Sequence, residues 1–214
     1  MSGTAVALIL TTMMAYVISR KEFPGRRALN FFVFFTMLFS GGLVPTYLNY
    51  SQLGVRNTIF GLVLPGILMK AFYVRLMKSY FVTTIPESLM ESAKIDGTGT
   101  FKSFTQVALP LSQPILATIG LFICIDYWND WYNGLIYLTD KNLFNINNML
   151  NRILLSIQYL QTTADSEAAM ALGSIPSTAV RMALAVVGVL PILIVYPFFQ
   201  KYFVKGITIG AVKG

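Results

Sequence analysis

The sequence predicts an all-α fold, a polytopic bundle of transmembrane helices with about five spans. Of its 214 residues, 55% are hydrophobic and only 12% are charged. The mean hydropathy is +0.64, far from the balance of soluble domains. Three stretches carry no charged residue, and each is long enough for most or all of a helical crossing: 28–55, 103–125 and 182–200. Helices are expected because a backbone in lipid must satisfy its own hydrogen bonds.

Apolar length places the predicted spans in order along the chain. They cover residues 1–18, 28–44, 58–77, 111–127 and 181–199. The first stretch lacks a leading basic region and is followed by positive charge, the reverse of a secretory signal peptide, so we expect it to be retained as a helix. It is short for a full crossing, as expected if the chain begins late in a longer gene product.

Positive charge predicts the orientation of these spans. Arg20, Lys21, Arg26 and Arg27 follow the first span closely, and such clusters mark the cytoplasmic side of a membrane. Alternation then places the segment 78–110 and the C-terminal tail inside as well. In this arrangement eleven Lys and Arg residues lie inside and four outside, with one left within a span. The bias supports the predicted orientation.

The residue types exclude several classes of function. A net charge of +7 is compatible with nucleic-acid binding, but basic clusters beside apolar spans are typical of membrane proteins. The chain has no histidine and a single cysteine, Cys124, which excludes zinc sites, disulfides and Cys/His nucleophilic pairs within the chain. We therefore predict no catalytic residue, no metal site and no nucleic-acid partner.

The predicted inner segment contains two short helices around a glycine. Thr84 and Glu87 fit a capping box for the first helix, and Pro86 suits its first turn. Gly97 readily adopts the left-handed conformation that ends a helix. The first helix is therefore expected to begin just after Thr84 and to end at Gly97.

A second short helix is expected over 100–107, because Pro110 stops it. The DGTGT sequence that precedes it, residues 96–100, is similar to the DKTGT of phosphorylated ion pumps. Such pumps need a large cytoplasmic nucleotide domain, and the chain has no G-x-x-x-x-G-K-[ST] phosphate loop. The pump interpretation is therefore excluded.

The first helix of this segment has two predicted stripes. Ile85, Leu89 and Ala93 recur every four residues and predict one apolar stripe. Glu87 and Glu91 predict an acidic stripe beside it. Two interpretations stay open: the apolar stripe lies on the ends of the protein's own membrane helices, or it docks on a partner.

A spaced pattern runs through this segment. Glu91, Ser92 and Ala93 are followed after three residues by Gly97, and after nine more by VALP at 107–110. This resembles the EAA loop of ABC-importer permeases, whose pattern is E-A-A, three residues, G, nine residues and I-x-L-P. Ser92 replaces the second alanine, and a valine replaces the isoleucine. The long spacing makes a chance match improbable.

The resemblance covers essentially the whole chain. It is also carried by SRKEFPGRR, by GGLVPTYL, by the Trp128 and Asn129 pair and by the ending YPFFQKYFVKGITIGAVKG. These are similar to the maltose-permease-like branch, and most to subunits that serve complex oligosaccharides in Gram-positive bacteria. The chain is identified as a member of the type I ABC-importer permeases, with residues 1–214 as one permease domain. The family usually has six spans, so the first of the six is expected to be missing here.

The resemblance implies a mechanism. In such importers the EAA loop forms a coupling helix in a groove of a separate cytoplasmic ATPase, and ATP-driven closure of two ATPases switches a permease pair between inward-open and outward-open states. Glu91 would offer a carboxylate to a basic ATPase residue, Ser92 and Ala93 would allow close approach, and Gly97 would permit the turn. The residues assigned to ATPase coupling are Glu87, Glu91, Ser92, Ala93, Asp96, Gly97, Leu109 and Pro110.

The resemblance also implies partners and a location. The partners are a second homologous permease, two ATPase subunits, an extracytoplasmic solute-binding protein, a sugar or oligosaccharide substrate and membrane lipid. The chain is expected to be a transport subunit and not an enzyme, and to bind no cofactor, since ATP and magnesium bind the partner ATPase. It is expected in the bacterial cell membrane with the coupling loop and the C-terminus in the cytoplasm.

The polar segment 128–180 is expected to form external and partly re-entrant structure. Its aromatic rings suit the apolar faces of pyranoses, and its Asn and Asp side chains suit hydroxyls. An interfacial aromatic belt is the alternative, favoured for Tyr132 and Tyr137. Lys70 and Asp126 are the ionisable groups nearest membrane depth, and they either line the pathway or pair across helices. The predicted substrate-pathway residues are Lys70, Asp126, Tyr127, Trp128, Asn129 and Trp131.

Three alternative functions stay open at this stage. The chain is an ABC permease for a non-sugar solute, or an ion-coupled secondary transporter, or a scaffold membrane protein that transports nothing. Ion coupling needs acidic residues or broken helices at the bilayer midplane, and only Asp126 is available. The scaffold hypothesis requires the inner-loop pattern to be a coincidence.

Overall fold

The computed structural model describes residues 2–67, 69–162 and 177–211, and every regular element in these ranges is helical. The α-helices are α1 (Ser2–Ser19), α2 (Arg26–Leu38), α3 (Leu43–Gln52), α4 (Phe60–Ile67), α5 (Ala71–Thr84), α6 (Glu87–Ile95), α7 (Thr100–Lys102), α8 (Leu109–Leu111), α9 (Gln113–Trp128), α10 (Trp131–Tyr137), α11 (Ile146–Thr162) and α12 (Ser177–Ala211). A π-helical segment, Ser103–Ala108, joins α7 to α8, and a 3-10 turn, Lys141–Leu143, precedes α11.

The number of membrane crossings agrees with the sequence. Two helices are long and apolar enough to cross alone, namely α1 and the part Thr178–Pro197 of α12. Three helix pairs are apolar enough if each pair is one bent span: α2 with α3, α4 with α5, and Thr100–Leu111 with α9. The described residues therefore give up to five spans, and the predicted all-α fold class is confirmed.

The predicted span 28–44 is wrong as one helix. Helix α2 ends at Leu38, Phe39 is extended with φ −112° and ψ 124°, and a new helix begins at Leu43. Gly42 has a φ of +84°, a conformation that residues other than glycine rarely adopt. The paired glycines at 41 and 42 thus interrupt a stretch that hydropathy reads as continuous.

The predicted span 58–77 is also interrupted. Helix α4 ends at Ile67 after an internal proline, Pro65, and α5 begins at Ala71. Lys70 lies in the break with an extended backbone, φ −72° and ψ 119°. It was predicted to lie within a span, and it lies at the start of a new helix.

The last predicted span, 181–199, is shorter than the helix that contains it. Helix α12 continues to Ala211 and includes Pro191 and Pro197. The predicted span ended before the lysine at 201, because a charged residue limits the apolar stretch that can lie in a membrane. The charge does not interrupt the backbone hydrogen bonds of the helix. The first and fourth predicted spans match α1 and α9 to within two residues.

The chain forms two compact units. In the first, residues 1–45, 66–124 and 199–214, α1 packs along α5. Small side chains such as Ala7 and Ala15 are buried on α1, and they let two helix backbones approach closely. Ile18, Val74 and Met77 are fully buried in the same core.

The second unit comprises residues 46–65 and 125–198. Tyr137 is buried in it, with its ring 5.4 Å from that of Tyr50 and 6.1 Å from that of Tyr47. Asn57 ties this centre to the backbone. Its N–H donates to the carbonyl of Tyr137 at 2.8 Å, and its Oδ1 accepts from the N–H groups of Thr139 and Asp140.

We predict that Met77→Ala destabilises the first unit by about 2–3 kcal/mol, because it leaves a cavity between closely packed helices. The thermal midpoint of the purified chain measures this. Met13→Ala is the matched control, since Met13 is 45% exposed on α1 whereas Met77 is fully buried. Equal thermal midpoints for the two variants would contradict the described packing of α1 on α5.

Candidate functional site

Helix α6 begins differently from the prediction. Thr84 is the last residue of α5, Pro86 precedes the helix with φ −60° and ψ 136°, and no side chain caps the start. The predicted capping box and the placement of Pro86 in the first turn are therefore wrong. Because α5 continues through Thr84, this residue has no N-cap conformation. The Glu87 carboxylate instead accepts a hydrogen bond from Lys21 Nζ at 2.7 Å.

Both ends of α6 are joined to the loop after α1. Glu87, in the first turn, pairs with Lys21, and Lys94, in the last turn, donates to the Glu22 carboxylate. All four side chains are exposed, so each pair alone adds little stability. Their value is positional, since two contacts at opposite ends fix the direction of a short helix.

The Lys21 ammonium lowers the pKa of the Glu87 carboxyl, first through the hydrogen bond and then through its charge. A carboxyl with a lowered pKa contributes its stability above its ordinary pKa and loses it as pH falls through the lowered value. The contribution of the Glu87 carboxylate is therefore present at neutral pH and is lost in acid.

The left-handed conformation predicted for Gly97 is confirmed, with a φ of +75°. Around it, Thr98 N–H donates to the Ala93 carbonyl at 3.0 Å and Gly97 N–H to the Lys94 carbonyl at 2.9 Å. This is a Schellman motif, which satisfies the last carbonyls of α6. A Cβ at Gly97 would meet nothing within 4 Å, so the constraint is backbone conformation and not space.

The buried face of α6 differs from the predicted stripe. Met90 and Ala93 are buried, with exposed fractions of 5% and 8%, whereas Leu89 is 41% exposed. Ile85 is buried too, but it lies between α5 and α6. The step from Ile85 to Leu89 therefore ran across a helix break, and within α6 Leu89, one turn from the buried Ala93, is exposed.

The other face of α6 points away from the protein. Glu91 and Ser92 are exposed, and Ile95 is 87% exposed. Phe101, in the turn that follows, is 71% exposed. We call Leu89, Glu91, Ser92, Ile95 and Phe101 the outer face of the loop. Met90 and Ala93 are thus buried in the protein while Leu89 and Ile95 are exposed, and docking on a partner stays a prediction.

The second helix of the loop does not stop at Pro110. Helical structure continues from Thr100 through the π-helical segment to Leu111. An α-helical proline clashes with the carbonyl four residues earlier, but here Leu109 N–H donates five residues back, to Phe104. The wider turn accommodates Pro110 near the start of α8, where its missing N–H costs little.

The coupling residues predicted in this second part lie on its surface. Leu109 is half-buried and Pro110 is exposed. After them, Ser112 Oγ donates to the Ala108 carbonyl at 2.7 Å, and the chain turns by 83° into α9. Phe104 is buried against Tyr16 of α1, with ring centroids 4.8 Å apart. The loop is thus anchored to the first helix.

The predicted pathway residues lie in several places. Lys70 is exposed, with its Nζ 5.8 Å from the centre of the Tyr73 ring. In the second unit, Tyr127 Oη donates to the Val63 carbonyl and Trp128 Nε1 to the Gly188 carbonyl, each at 2.9 Å. The polar atoms of these two rings therefore join helices of that unit.

The remaining pathway residues follow the end of α9. Asp126 is half-buried within α9, and Asn129 is exposed just after it. Trp131 and Tyr132 are 41% and 47% exposed, with their rings edge to face at 5.8 Å. Of the predicted external segment, residues 163–176 lie outside the described residues.

The chain turns from α9 into α10 at residues 128–132, which we call the tryptophan turn. A hydrogen-bond network that the sequence did not reveal holds this turn. Nδ2 of Asn145 donates to the Asp130 carbonyl at 2.7 Å, Nδ2 of Asn148 to the Trp131 carbonyl at 2.9 Å, and Nδ2 of Asn147 to the Trp128 carbonyl. These amides were expected to suit sugar hydroxyls, but they bind the protein's own backbone. We call these three side chains and Arg152 the asparagine clamp.

Arg152 completes the clamp. Its Nε donates to Asn148 Oδ1 at 2.9 Å, its Nη2 donates to the Leu138 carbonyl at 3.1 Å, and its guanidinium lies 4.1 Å from the centre of the Phe144 ring. Asn148 is fully buried. The spacing of Asn145, Asn148 and Arg152 on one helical face was the available signal, but such a face is equally typical of a solvated helix.

Comparison with known proteins gives a consistent result. The family model described as binding-protein-dependent transport system inner membrane component matches residues 5–209. The polygalacturonan/rhamnogalacturonan transport system permease protein YtcP of Bacillus subtilis is 42% identical over 213 residues, which cover 99% of this chain and 73% of YtcP. Protein LplC of the same species is 40% identical over 212 residues, covering 99% of this chain and 70% of LplC.

A solved structure is similar as well. It is the crystal structure of a bacterial ABC transporter involved in the import of the acidic polysaccharide alginate. The TM-score is 0.78 at 33% sequence identity, and the match covers 94% of this chain and 70% of the other. Sequence and fold therefore agree.

We predict that Gly134→Ala disrupts the asparagine clamp, because a Cβ there would lie 2.9 Å from both Cγ and Nδ2 of Asn148. The cost is about 1–3 kcal/mol of stability. Trp128 and Trp131, the chain's only two tryptophans, report on this turn. Their emission should shift to the red and be quenched more by acrylamide.

Gly41→Ala is the matched control, since a Cβ at Gly41 meets nothing within 4 Å. The control should leave the emission unchanged. If Gly134→Ala also leaves both emission and quenching unchanged, the clamp does not hold the tryptophan turn.

Proposed function

Because the chain belongs to the family of binding-protein-dependent transport system inner membrane components, we propose that it is a membrane-spanning permease subunit of an ATP-driven importer of sugars or oligosaccharides. One observation carries the proposal beyond the family. A short helix on a turn of fixed geometry presents Leu89, Glu91 and Ile95 outward while Met90 and Ala93 are buried. That arrangement suits a helix that receives a partner and transmits its movement.

The outer face of the loop fits an ATPase groove in chemistry and shape. Ile95 and Phe101 offer exposed apolar contact, with exposed fractions of 87% and 71%. Glu91 offers a carboxylate to a basic side chain of the partner. Ser92 is small, and its hydroxyl already donates to the Ser88 carbonyl at 3.0 Å, so a partner can approach it closely without leaving a polar group unsatisfied.

Transmission requires that the loop move as one body with the spans. Two ion pairs tie α6 to the loop after α1, and Phe104 anchors the second helix of the loop on Tyr16. Gly97 closes the turn between the two helices. A push on Glu91 or Ile95 is then carried to α1, and a rigid-body change between inward-open and outward-open states follows.

The proposed complex contains the partners that such a subunit needs. They are a second permease, two ATPase chains that bind ATP and magnesium, and an extracytoplasmic solute-binding protein. The loop with α6 and the C-terminus lie in the cytoplasm, on the side that the basic residues after α1 indicate. The chain acts in the cell membrane and leaves ATP hydrolysis to its partner.

The relatives suggest the class of substrate. YtcP is named for polygalacturonan and rhamnogalacturonan, and the similar structure is that of an alginate importer. Galacturonan and alginate are both polymers of uronic acids. Oligosaccharides that contain uronic acids are therefore the first substrates to test, and neutral oligosaccharides are the comparison.

The exposed side of the tryptophan turn is the proposed sugar-contacting surface. Trp131 and Tyr132 present rings, which suit the apolar faces of pyranoses, and Asn129 presents an amide. Lys70 and Asp126 are proposed to line the pathway where hydroxyls and carboxylates pass. Tyr127 and Trp128 support it, since their polar atoms bind the backbone.

We predict that Glu91→Lys lowers ATP-driven uptake of a labelled oligogalacturonide at least about tenfold, because it replaces the carboxylate by a like charge to its partner. The amount of protein in the membrane should stay normal, since Glu91 is exposed. Uptake is measured in cells that carry the complete importer. Without its solute-binding protein, the same importer should take up nothing.

The control is Gln158→Lys, which places the same new lysine at an exposed position of α11. This variant should transport normally. Full uptake by Glu91→Lys would exclude the coupling role. Uptake that needs no ATPase and follows an ion gradient would instead support a secondary transporter.

We also predict that Ile95→Cys, in a Cys124→Ser background, is crosslinked to the ATPase chain in intact cells by a short bifunctional thiol and amine reagent. Met90→Cys on the same helix is the control, since Met90 is 5% exposed and Ile95 is 87% exposed. The first variant should give a heterodimer band that contains the ATPase, and the second should not. Equal bands, or none from Ile95→Cys, would contradict docking on the outer face.

A further inference from the structure

A cavity lies where the chain enters α2. Its volume is about 530 Å³, and it is lined by Lys21, Phe23, Pro24, Arg26, Arg27 and Asn30. Half of these side chains are cationic and none is acidic. The cavity belongs to the first unit, at the end of a helix whose remaining residues are apolar apart from Asn30 and Thr36.

The described lining of this cavity holds three cations and no carboxylate, and the nearby Glu87 carboxylate interacts with Lys21 and, more weakly, with Arg26. Lys21 pairs with Glu87, but among the described residues no carboxylate pairs with Arg26 or Arg27. Lys78 adds another charge, with its Nζ 2.6 Å from Asn30 Oδ1, and the charges of Arg26 and Arg75 both act on it unfavourably. Such crowding of like charges favours an anion from outside the chain.

The backbone adds to the same field. Arg26 is the first residue of α2, and no side chain caps the N–H groups of the first turn. A helix N-terminus carries a partial positive charge and free donors, which stabilise anions. Arg26 and Arg27 therefore act together with the helix end and not against it.

An exposed aromatic row continues from the cavity along α2. Arg27, Phe31 and Phe35 follow one another on α2 at intervals of four, so they share one helical face, and Phe39 comes directly after the helix end. The rings of Phe31 and Phe35 are stacked at 6.2 Å and those of Phe35 and Phe39 at 5.3 Å. The three rings are 61%, 45% and 63% exposed. We call them the phenylalanine row.

A cationic cavity joined to an apolar row matches a molecule with a phosphate at one end and acyl chains at the other. We propose that this site binds an anionic phospholipid, with its phosphate near Arg26 and Arg27 and an acyl chain along the phenylalanine row. A free phosphate would use the cavity and leave the row without a role. The proposal needs only the family's membrane location, and it does not depend on the sugar or the ATPase.

The binding test uses the purified full chain in a neutral detergent, titrated with phosphatidylglycerol or with phosphatidylcholine of the same acyl chains. Native mass spectrometry measures the bound lipid. The chain should prefer phosphatidylglycerol, and the double variant Arg26→Gln/Arg27→Gln should bind it roughly 25-fold more weakly, about fivefold for each guanidinium lost. The charge-preserving variant Arg26→Lys/Arg27→Lys should keep most of the affinity, which shows that the fold is intact.

The matched control is Arg56→Gln/Lys141→Gln, which removes two exposed cations from the second unit. It should bind phosphatidylglycerol as the wild type does. Equal weakening by both glutamine double variants would mean that net charge alone attracts the lipid, and it would overturn the proposal. Unchanged binding after Arg26→Gln/Arg27→Gln would overturn it as well.

Two further measurements separate the other occupants. Inorganic phosphate at millimolar concentration should not displace the lipid. The variant Phe31→Ala/Phe35→Ala should bind the lipid more weakly than the wild type. If phosphate displaces the lipid and the phenylalanine variant binds normally, the cavity is a site for free phosphate. In native membranes, Phe35→p-benzoyl-phenylalanine should form a lipid adduct on illumination. An adduct with another protein chain would make this face a protein interface and refute the lipid site.

Discussion

The packing of Tyr16 against Phe81 and Phe104 is the contact on which the first unit depends. We call it the Tyr16 joint. The Tyr16 ring lies edge to face with Phe81 of α5 at 5.8 Å and tilted against Phe104 of the loop at 4.8 Å. The Arg20 guanidinium lies 4.5 Å from the centre of the same ring. One buried side chain thus links the first span, the helix that leads into the loop and the helix that leads out of it. Without this joint, α6 would be held by the burial of Met90 and Ala93 and by exposed ion pairs, which are weak.

The side chains of the loop have two roles: some pack inside the protein, and others are exposed to a partner. Met90 and Ala93 are buried, and the Schellman turn at Gly97 satisfies the backbone without help from a partner. The outer face can therefore give all its contact area to another protein. A helix that needed its partner to complete its own hydrogen bonds would fold only on docking. Part of the binding free energy would then be offset by the entropy lost when the helix becomes ordered. In the proposed importer, this pre-formed geometry lets ATP-driven movement reach α1 directly.

Hydropathy and spacing predicted much of the fold. Five apolar stretches correspond to five candidate spans, and the left-handed Gly97 and the helix before it were placed from residue types alone. The breaks were missed because hydropathy sums the polarity of side chains, whereas the breaks follow from backbone conformation. The first break is at the glycines 41 and 42, and the second lies between Pro65 and Lys70. Pro110 was misjudged because a π-helical turn accommodates a proline that an α-helical turn would reject. The apolar stripe was misjudged because its step from Ile85 to Leu89 ran across the break after Thr84.

The asparagine clamp explains why residues 128–152 resisted prediction, and in the proposed function it limits how they can contact a sugar. Asparagine amides are equally suited to hydroxyls and to backbone carbonyls, and only the fold decides between them. Here Asn145, Asn147 and Asn148 hold the carbonyls of the tryptophan turn, and Arg152 fixes the most buried of the three. In the proposed function, the rings of Trp131 and Tyr132 then carry most of the sugar contact, and rings contribute shape and area more than directional hydrogen bonds. Such a surface lets successive sugar units slide past, which suits a pathway, while a binding protein supplies the tight and selective site.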